Sequence, residues 1–396
     1  MESMRVAVLG GVRSSISASP RHGVDKIVRG LVHQLHRMGF VVATNFGDSL
    51  SDPPALLASH CAPLPMPPVD APLARLLTYN LDLLAALYNL DGPLVANVHD
   101  LRVVPAALMV RRLRPKMGLV ASLAGTVHGR YGAESGTWLS YLAELEMRLV
   151  ANADVIAVPG RAHAVEIARS FGVSAGRIVD VGIGIDLPAA SPSDAERVAS
   201  RLLYVGRLAR EKGVLELVSA FRIVVAQRPD VELHVVGDGR LRGELETRVR
   251  DAGLDDRVVF TGWLSPEELQ REYARAAVCV VPSRYDPYPA VVPEALANGC
   301  VVVGTRVGGI PELLGDGQWG VLVESPSADL LARATLDVLA APNAHRERAS
   351  NARTWIEETL SWTSFARRMV TTFGTSITRA GRHRGTSLGD HNELQP

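Results

Sequence analysis

Cysteine is scarce in this 396-residue chain: Cys61, Cys279 and Cys300 are the only three. Three thiols cannot build a disulfide framework, and their wide spacing fits no metal-binding pattern. Cys279 and Cys300 lie in apolar runs and read as buried structural thiols. Such usage fits a reducing compartment, so a cytoplasmic location is expected. Long apolar runs are missing too. No window offers the ~18 unbroken apolar residues of a membrane-spanning helix. Residues 1–10 lack a basic region followed by a signal-type apolar core. Neither sign of charge is in surplus, because 42 acidic residues face 42 lysines and arginines. Without a basic stripe no nucleic-acid partner is expected, although a local basic pocket for phosphate remains compatible. Lysine is as rare as cysteine. Lys26, Lys116 and Lys212 are the only ones, and arginine supplies the other basic side chains, as under a high-GC coding bias. A lysine inside a glycine-rich motif is therefore more informative than usual.

What is present is an alternating α/β pattern. The length suggests two domains, and a 47% apolar composition can fill two cores. Residues 6–9 form an apolar run that ends in Gly10-Gly11, a buried strand and its turn. A helix follows over 24–38, with one apolar face and Gly39 as its stop. Strands are expected at 41–43, 94–98, 118–121 and 155–158. A second series begins at Arg201. Its strands are expected at 202–205, 231–236, 258–260, 278–281 and 301–304, and its helices at 214–227, 241–252, 266–276 and 290–297. The alternation predicts parallel sheets covered on both faces, in two Rossmann-like domains. The Pro- and Ser-rich stretch 188–194 marks the linker, dividing the chain into 1–190 and 191–362. The polar end of the chain, 378–396, is expected to be a disordered tail. Ligands of such sheets sit beyond the carboxyl ends of the strands.

Two segments at strand ends carry candidate chemistry. In 206–213 (GRLAREKG), Arg207 offers a bidentate fork and Lys212 a compact charge, between Gly206 and Gly213, which allow close approach. That is a cradle for a diphosphate, or an ordinary turn before a helix. In 283–294 (SRYDPYPAVVPE), Asp286 and Glu294 stand eight residues apart around a helix start. Amides at Ala290 and Val291 would suit an anion, and the carboxylates would accept hydrogen bonds from sugar hydroxyls. Local capping by Asp286 and a solvated Glu294 is the alternative.

Together these segments resemble the signatures of the retaining glycosyltransferases of family four, which have the two-domain GT-B fold. The phosphate signature G-R-x-x-x-x-K-G stands at 206–213, and the E-x7-E signature runs from Asp286 to Glu294. Segments 236–239 (VGDG), 260–263 (FTGW), 308–312 (GGIPE) and 320–323 (GVLV) extend the resemblance over about 201–323. The N-terminal half matches more loosely, as a variable acceptor would require. Ser361-Trp362-Thr363 resembles the start of a last helix, over 363–377, that crosses back to the first domain. The resemblance implies that Arg207 and Lys212 bind the donor diphosphate and that Glu294 binds the ribose. It places Asp286 at the donor sugar, with Ala290 and Val291, and Gly237 and Val259 in the donor site with the base pocket. Thr126-Val127-His128-Gly129 resembles a segment whose histidine faces the reacting sugar, the alternative being a structural histidine. His99-Asp100 resembles another strand end in the cleft. Three departures bear on the sugar: aspartate at 286 where glutamate is usual, Pro289 where glycine is usual, and His22-Gly23 in place of a glycine pair.

The resemblance further implies catalysis without a metal or other cofactor, since no Asp-x-Asp pair follows a strand. Front-face attack with retention is expected, and no covalent nucleophile is assigned. The expected donor is a uridine diphosphate sugar, with guanosine diphosphate as the alternative. Residues 283–289 and the arginine-rich composition are similar to transferases of aminoglycoside antibiotic synthesis, which implies UDP-N-acetylglucosamine as donor and an aminocyclitol acceptor such as ribostamycin. Rival readings are mannosyl transfer to lipid or polysaccharide, a nucleotide-sugar 2-epimerase of the same fold, and a non-enzymatic nucleotide-sugar binder. Peripheral membrane contact through Arg111, Arg112, Arg114 and Lys116 is the less favoured reading of a basic helix face.

Overall fold

The computed structural model describes residues 4–10, 23–44, 73–132, 136–188 and 197–382. In the first domain the chain runs β1 (Arg5–Leu9), α1 (Gly23–Arg37), β2 (Val41–Thr44), α2 (Leu73–Tyr88), β3 (Leu94–Val98), α3 (Val104–Leu113), β4 (Gly118–Ser122), α4 (Val127–Tyr131), α5 (Thr137–Asn152), β5 (Val155–Val158), α6 (Arg161–Phe171) and β6 (Ile178–Asp180). The strands form one six-stranded sheet, β2-β1-β3-β4-β5-β6, and the pairs are parallel. Helices cover both faces, so β3 and β5 are buried at every residue and read as continuous apolar runs. Val6 and Val8 face one core and Ala7 and Leu9 the other. The apolar stripe of α1, Val28, Leu31, Val32 and Leu35, packs onto the first of these.

The second domain repeats the plan: β7 (Val198–Val205), α7 (Val214–Gln227), β8 (Glu232–Val236), α8 (Arg242–Asp251), β9 (Val258–Gly262), α9 (Pro266–Arg275), β10 (Ala276–Val281), α10 (Val291–Ala297), β11 (Val301–Thr305), α11 (Ile310–Leu313), β12 (Val321–Val323), α12 (Ala328–Ala340), α13 (Pro342–Ser350) and α14 (Ala352–Thr359). Its parallel sheet has the order β12-β11-β10-β7-β8-β9. Cys279 and Cys300 are buried and unbridged in this core, as expected, and Cys61 lies outside the described residues.

The final helix, α15 (Trp362–Arg382), returns to the first domain. Phe365, Ala366, Met369 and Phe373 join the core that holds Val6, Val8 and Val28. The helix runs past the expected 363–377, because Ile377 also packs on this core and Ala380 is buried. Residues 378–382, expected in a disordered tail, are thus helical. Residues 383–396 and most of the expected linker (189–194) lie outside the described residues.

Each sheet has one place where the strand order reverses, between β1 and β3 and between β7 and β10. A crevice opens there at the carboxyl ends, because the flanking connections leave in opposite directions. Among the described residues no helix is long and apolar enough to cross a membrane. Of the basic residues around α3, Arg111 is paired with Asp154 at 2.8 Å. Arg114 donates to the carbonyls of Leu87, Leu90 and Gly92.

Candidate active site

The two motifs meet at the β7/β10 crevice. The turn after β7 can approach the end of β10 only because residue 213 is glycine: its φ is +66°, and a Cβ there would stand 1.8 Å from the Pro282 carbonyl oxygen. The backbone amides of Arg284 and Tyr285 both donate to the Glu211 carbonyl, at 2.9 and 3.1 Å. Glycine at 237 serves the neighbouring turn in the same way, since a Cβ would lie 2.0 Å from the Gly206 carbonyl oxygen. The Gly206 amide donates to Val236 at 3.0 Å, and the Tyr204 hydroxyl to the Arg207 carbonyl at 2.7 Å.

Lys212 and Asp286, 74 positions apart, form a direct ion pair with Nζ donating to Oδ2 at 2.6 Å. Asp286 is 7% exposed. Its loop is held by the Thr305 hydroxyl donating to the Ser283 carbonyl at 2.6 Å and the Gly309 amide donating to the Asp286 carbonyl at 3.3 Å. Arg207 reaches into solvent and pairs with Glu211 at 2.8 Å. Ala290 caps α10 and Val291 is its first helical residue, one later than expected. Glu294 lies just over a turn into this helix and is 8% exposed. Its Oε2 accepts from the Tyr273 hydroxyl at 3.0 Å and its Oε1 from Lys26 Nζ at 2.7 Å. Burial holds the Tyr273 hydroxyl well above its ordinary pKa, so it is a neutral donor.

Across the cleft, Thr126 caps α4 by accepting from the Gly129 amide at 2.9 Å. His128 is exposed on this short helix. The helix docks on the second domain, and a Cβ on Gly129 would lie 2.2 Å from the Tyr285 ring. The Tyr285 hydroxyl donates to Glu166 Oε1 at 2.9 Å and accepts from the Thr126 amide at 3.2 Å. Burial opposes the charge on Glu166, but hydrogen bonds from His163, Tyr285 and Thr126 outweigh it and lower its pKa. Beneath α4, Glu146 accepts from the Val127 amide at 3.1 Å, and burial raises its carboxyl to about 7.

At the β1/β3 crevice, the His99 amide donates to the Leu9 carbonyl at 2.8 Å. Burial lowers its imidazole to about 4, against the pull of Asp100. A chain runs inward from His99 Nε2 to Asn97 Nδ2 at 2.9 Å, and the Ser122 hydroxyl donates to Asn97 Oδ1 at 2.6 Å. Asp100 is committed locally: it accepts from the Arg102 amide at 2.8 Å and pairs with its guanidinium.

Arg207, Lys212, Asp286, Ala290, Val291 and Glu294 are thus brought to one crevice, with Gly206 and Gly237 beneath them. Val259 is not. It pairs with His234 mid-strand and is 45% exposed. The carboxyl end of its strand lies three residues further on, roughly 10 Å away. Gly23 opens α1, and His22 lies outside the described residues. Sequence reasoning missed Lys26, Glu166, Tyr273 and Tyr285 as partners. The rarity of lysine could have drawn attention to Lys26, and adjacency to Asp286 to Tyr285, but neither signal names a partner. Glu166 and Tyr273 gave no signal.

Residues 196–355 match the family described as glycosyl transferases group 1, and residues 21–188 match glycosyltransferase family 4. Glycogen synthase of Mycobacterium tuberculosis is 31% identical over 278 residues, covering 69% of this chain and 67% of that enzyme. The chain belongs to the group 1, family 4 glycosyltransferases. This glycosyltransferase is also 32% identical over 151 residues to the alpha-D-kanosaminyltransferase of Streptomyces kanamyceticus, covering 38% of this chain and 39% of that one. Among solved structures, sucrose-phosphate synthase from Thermosynechococcus elongatus superposes with a TM-score of 0.76 at 24% identity, covering 95% and 99% of the two chains. Anabaena HepE in complex with UDP-glucose gives 0.74 at 18% identity, covering 94% and 99%. Both likenesses concern the GT-B fold.

Proposed function

We propose that this glycosyltransferase moves a hexose or N-acetylhexosamine from a UDP-sugar to a hydroxyl of an aminoglycoside intermediate, with retention and without a metal ion. The observation that carries the reading is the Lys212–Asp286 ion pair at the β7/β10 crevice, just ahead of the start of α10, the helix that carries Glu294. Cleaving a glycosyl diphosphate requires stabilising charge on the leaving group. Preorganised cations and amides supply that stabilisation. Lys212, Arg207 and the amides of Ala290 and Val291 have this role, Lys212 exchanging Asp286 for phosphate as the donor enters. Glu294 accepts the ribose hydroxyls, Asp286 the hydroxyls of the sugar, and His128 faces the reacting sugar from the first domain. The complex of HepE with UDP-glucose supports the choice of uridine nucleotide. The resemblance of residues 283–289 and the kanosaminyltransferase relative support the acceptor class.

The test incubates the protein with UDP-N-acetylglucosamine, UDP-glucose or GDP-mannose, each with ribostamycin or without acceptor, in the presence of EDTA, and reads products by mass spectrometry. Growth of ribostamycin by one N-acetylhexosamine is expected. Donor conversion without acceptor would show an epimerase, and loss of activity in EDTA restored by magnesium would reveal a metal step. Transfer only from GDP-mannose would overturn the uridine assignment.

A further inference from the structure

Only three lysines occur in the chain, and two of them hold the two motif carboxylates. Lys212 meets Asp286 at 2.6 Å within the second domain. Lys26 meets Glu294 at 2.7 Å, and this pair joins the domains, from the first turns of α1 to α10. Lys26 Nζ also lies 3.1 Å from Asp186, where the chain leaves the first domain. The other oxygen of Asp186 accepts from the Trp362 indole at 2.7 Å, where the chain returns. The Trp362 ring fills a slot between Gly30 and Gly184, where a Cβ would fall 2.2 or 2.1 Å from it. Lys26 therefore stands at the junction through which the chain passes in both directions. Burial works against its charge, but Glu294 and then Asp186 outweigh burial and raise its pKa.

Glu294 needs this partner. A buried carboxylate is costly unless it is paired and hydrogen-bonded. Around it the hydroxyl of Tyr273 offers a neutral bond, and the positive charge comes from the other domain. A carboxylate has about four lone-pair sites, so with two used the rest can still accept from a diol.

We propose that Lys26 is a positioning residue of the nucleotide site: the first domain, through this ion pair, holds the Glu294 carboxylate aimed at the ribose hydroxyls. The proposal rests on reading Glu294 as the ribose carboxylate.

Calorimetry on Lys26→Met, Lys26→Arg, Glu294→Gln and the double variant Lys26→Met/Glu294→Gln, with UDP and 2′,3′-dideoxy-UDP as probes, tests it. Lys26→Met should weaken UDP about tenfold, the low end for a partly exposed partner of a buried charge. Lys26→Arg should recover part of the loss. Binding of dideoxy-UDP should hardly respond to Lys26→Met, and the double variant should bind UDP no worse than Glu294→Gln. The donor KM should rise more than kcat falls. Equal weakening of both probes would place Lys26 on phosphate or in the fold and overturn the proposal. So would additive losses in the double variant, or unchanged UDP affinity in Lys26→Met. If Glu294→Gln alone leaves UDP binding intact, the ribose reading of Glu294 fails instead.

Discussion

Asp286 and Glu294 look equivalent in the sequence, but their surroundings separate them. Asp286 occupies the cation that the leaving group would use. Glu294 is held by a hydroxyl and a lysine that belong to different elements. Removing Asp286 releases Lys212, so Asp286→Ala should bind UDP as tightly as the parent or more tightly, while transfer falls. Glu294→Ala should weaken UDP itself. Asp286→Glu keeps the charge but moves it outward by about one bond, and a shift near 1 Å can cost about 100-fold in rate. UDP titrations and initial rates with several UDP-sugars decide, and loss of UDP binding in Asp286→Ala alone would reverse the assignments. Motif spacing made both carboxylates legible in the sequence. Lys212 was legible as well, but Lys26 was not, because it reaches Glu294 across 268 positions and no local pattern encodes that pairing.

At the scale of elements, most strands were legible because burial on both faces leaves continuous apolar runs, and β3, β5 and α7 fall where the periodicity puts them; the three-residue, half-exposed β6 and β12 were not. Several helices were not, the 16-residue α2 and α5 among them, and the shortest could not be. The five residues of α4 and the four of α11 are too few for a 3.6-residue period, and caps or tertiary contacts define them. Glu146 beneath α4 gives that region a pH signature. Its folded pKa near 7 lies above its ordinary 4.5, so its contribution is complete below 4.5 and is lost as pH rises through 7. His99 has the opposite sign. Its folded pKa near 4 lies below 6.5, so its contribution is complete above 6.5 and is lost as pH falls towards 4. Each is worth at most roughly 3 kcal/mol and the two largely cancel between pH 5 and 7. Glu146→Gln should remove one arm: its melting temperature should gain on the parent steadily from pH 5 to pH 7.5. A constant difference across that range would show that Glu146 titrates normally.

At the scale of the molecule, the two domains meet around the loop that carries Asp286. Tyr285 and Tyr288, on either side of Asp286-Pro287, seat against the first domain: Tyr285 on Gly129 and Glu166, Tyr288 on Gly160. The Arg161 amide donates to Glu312 Oε2 at 3.0 Å beside them. Gly160 has an extended backbone with φ 178°, so a side chain there strains nothing locally. It would instead stand 2.5 Å from the Tyr288 ring and act as a wedge. Gly160→Ala should lower transfer about tenfold, an overpacking cost of 1–3 kcal/mol being typical. Small-angle scattering should show a more open particle. A scattering profile and rate like those of the parent would mean that closure at this point does not govern turnover.

The return of α15 also fixes an order of assembly. A nascent chain has made all six strands of the first sheet by Asp180, yet the face that α1 covers in part is not closed until Phe365, Met369 and Phe373 leave the ribosome. At bacterial and eukaryotic synthesis rates that interval is on the order of ten to forty seconds. The second domain, with its strands and most of its helices contiguous between Val198 and Thr359, is complete before then. The half of the protein translated first is the half that finishes last, because its core waits for a helix made after the whole second domain.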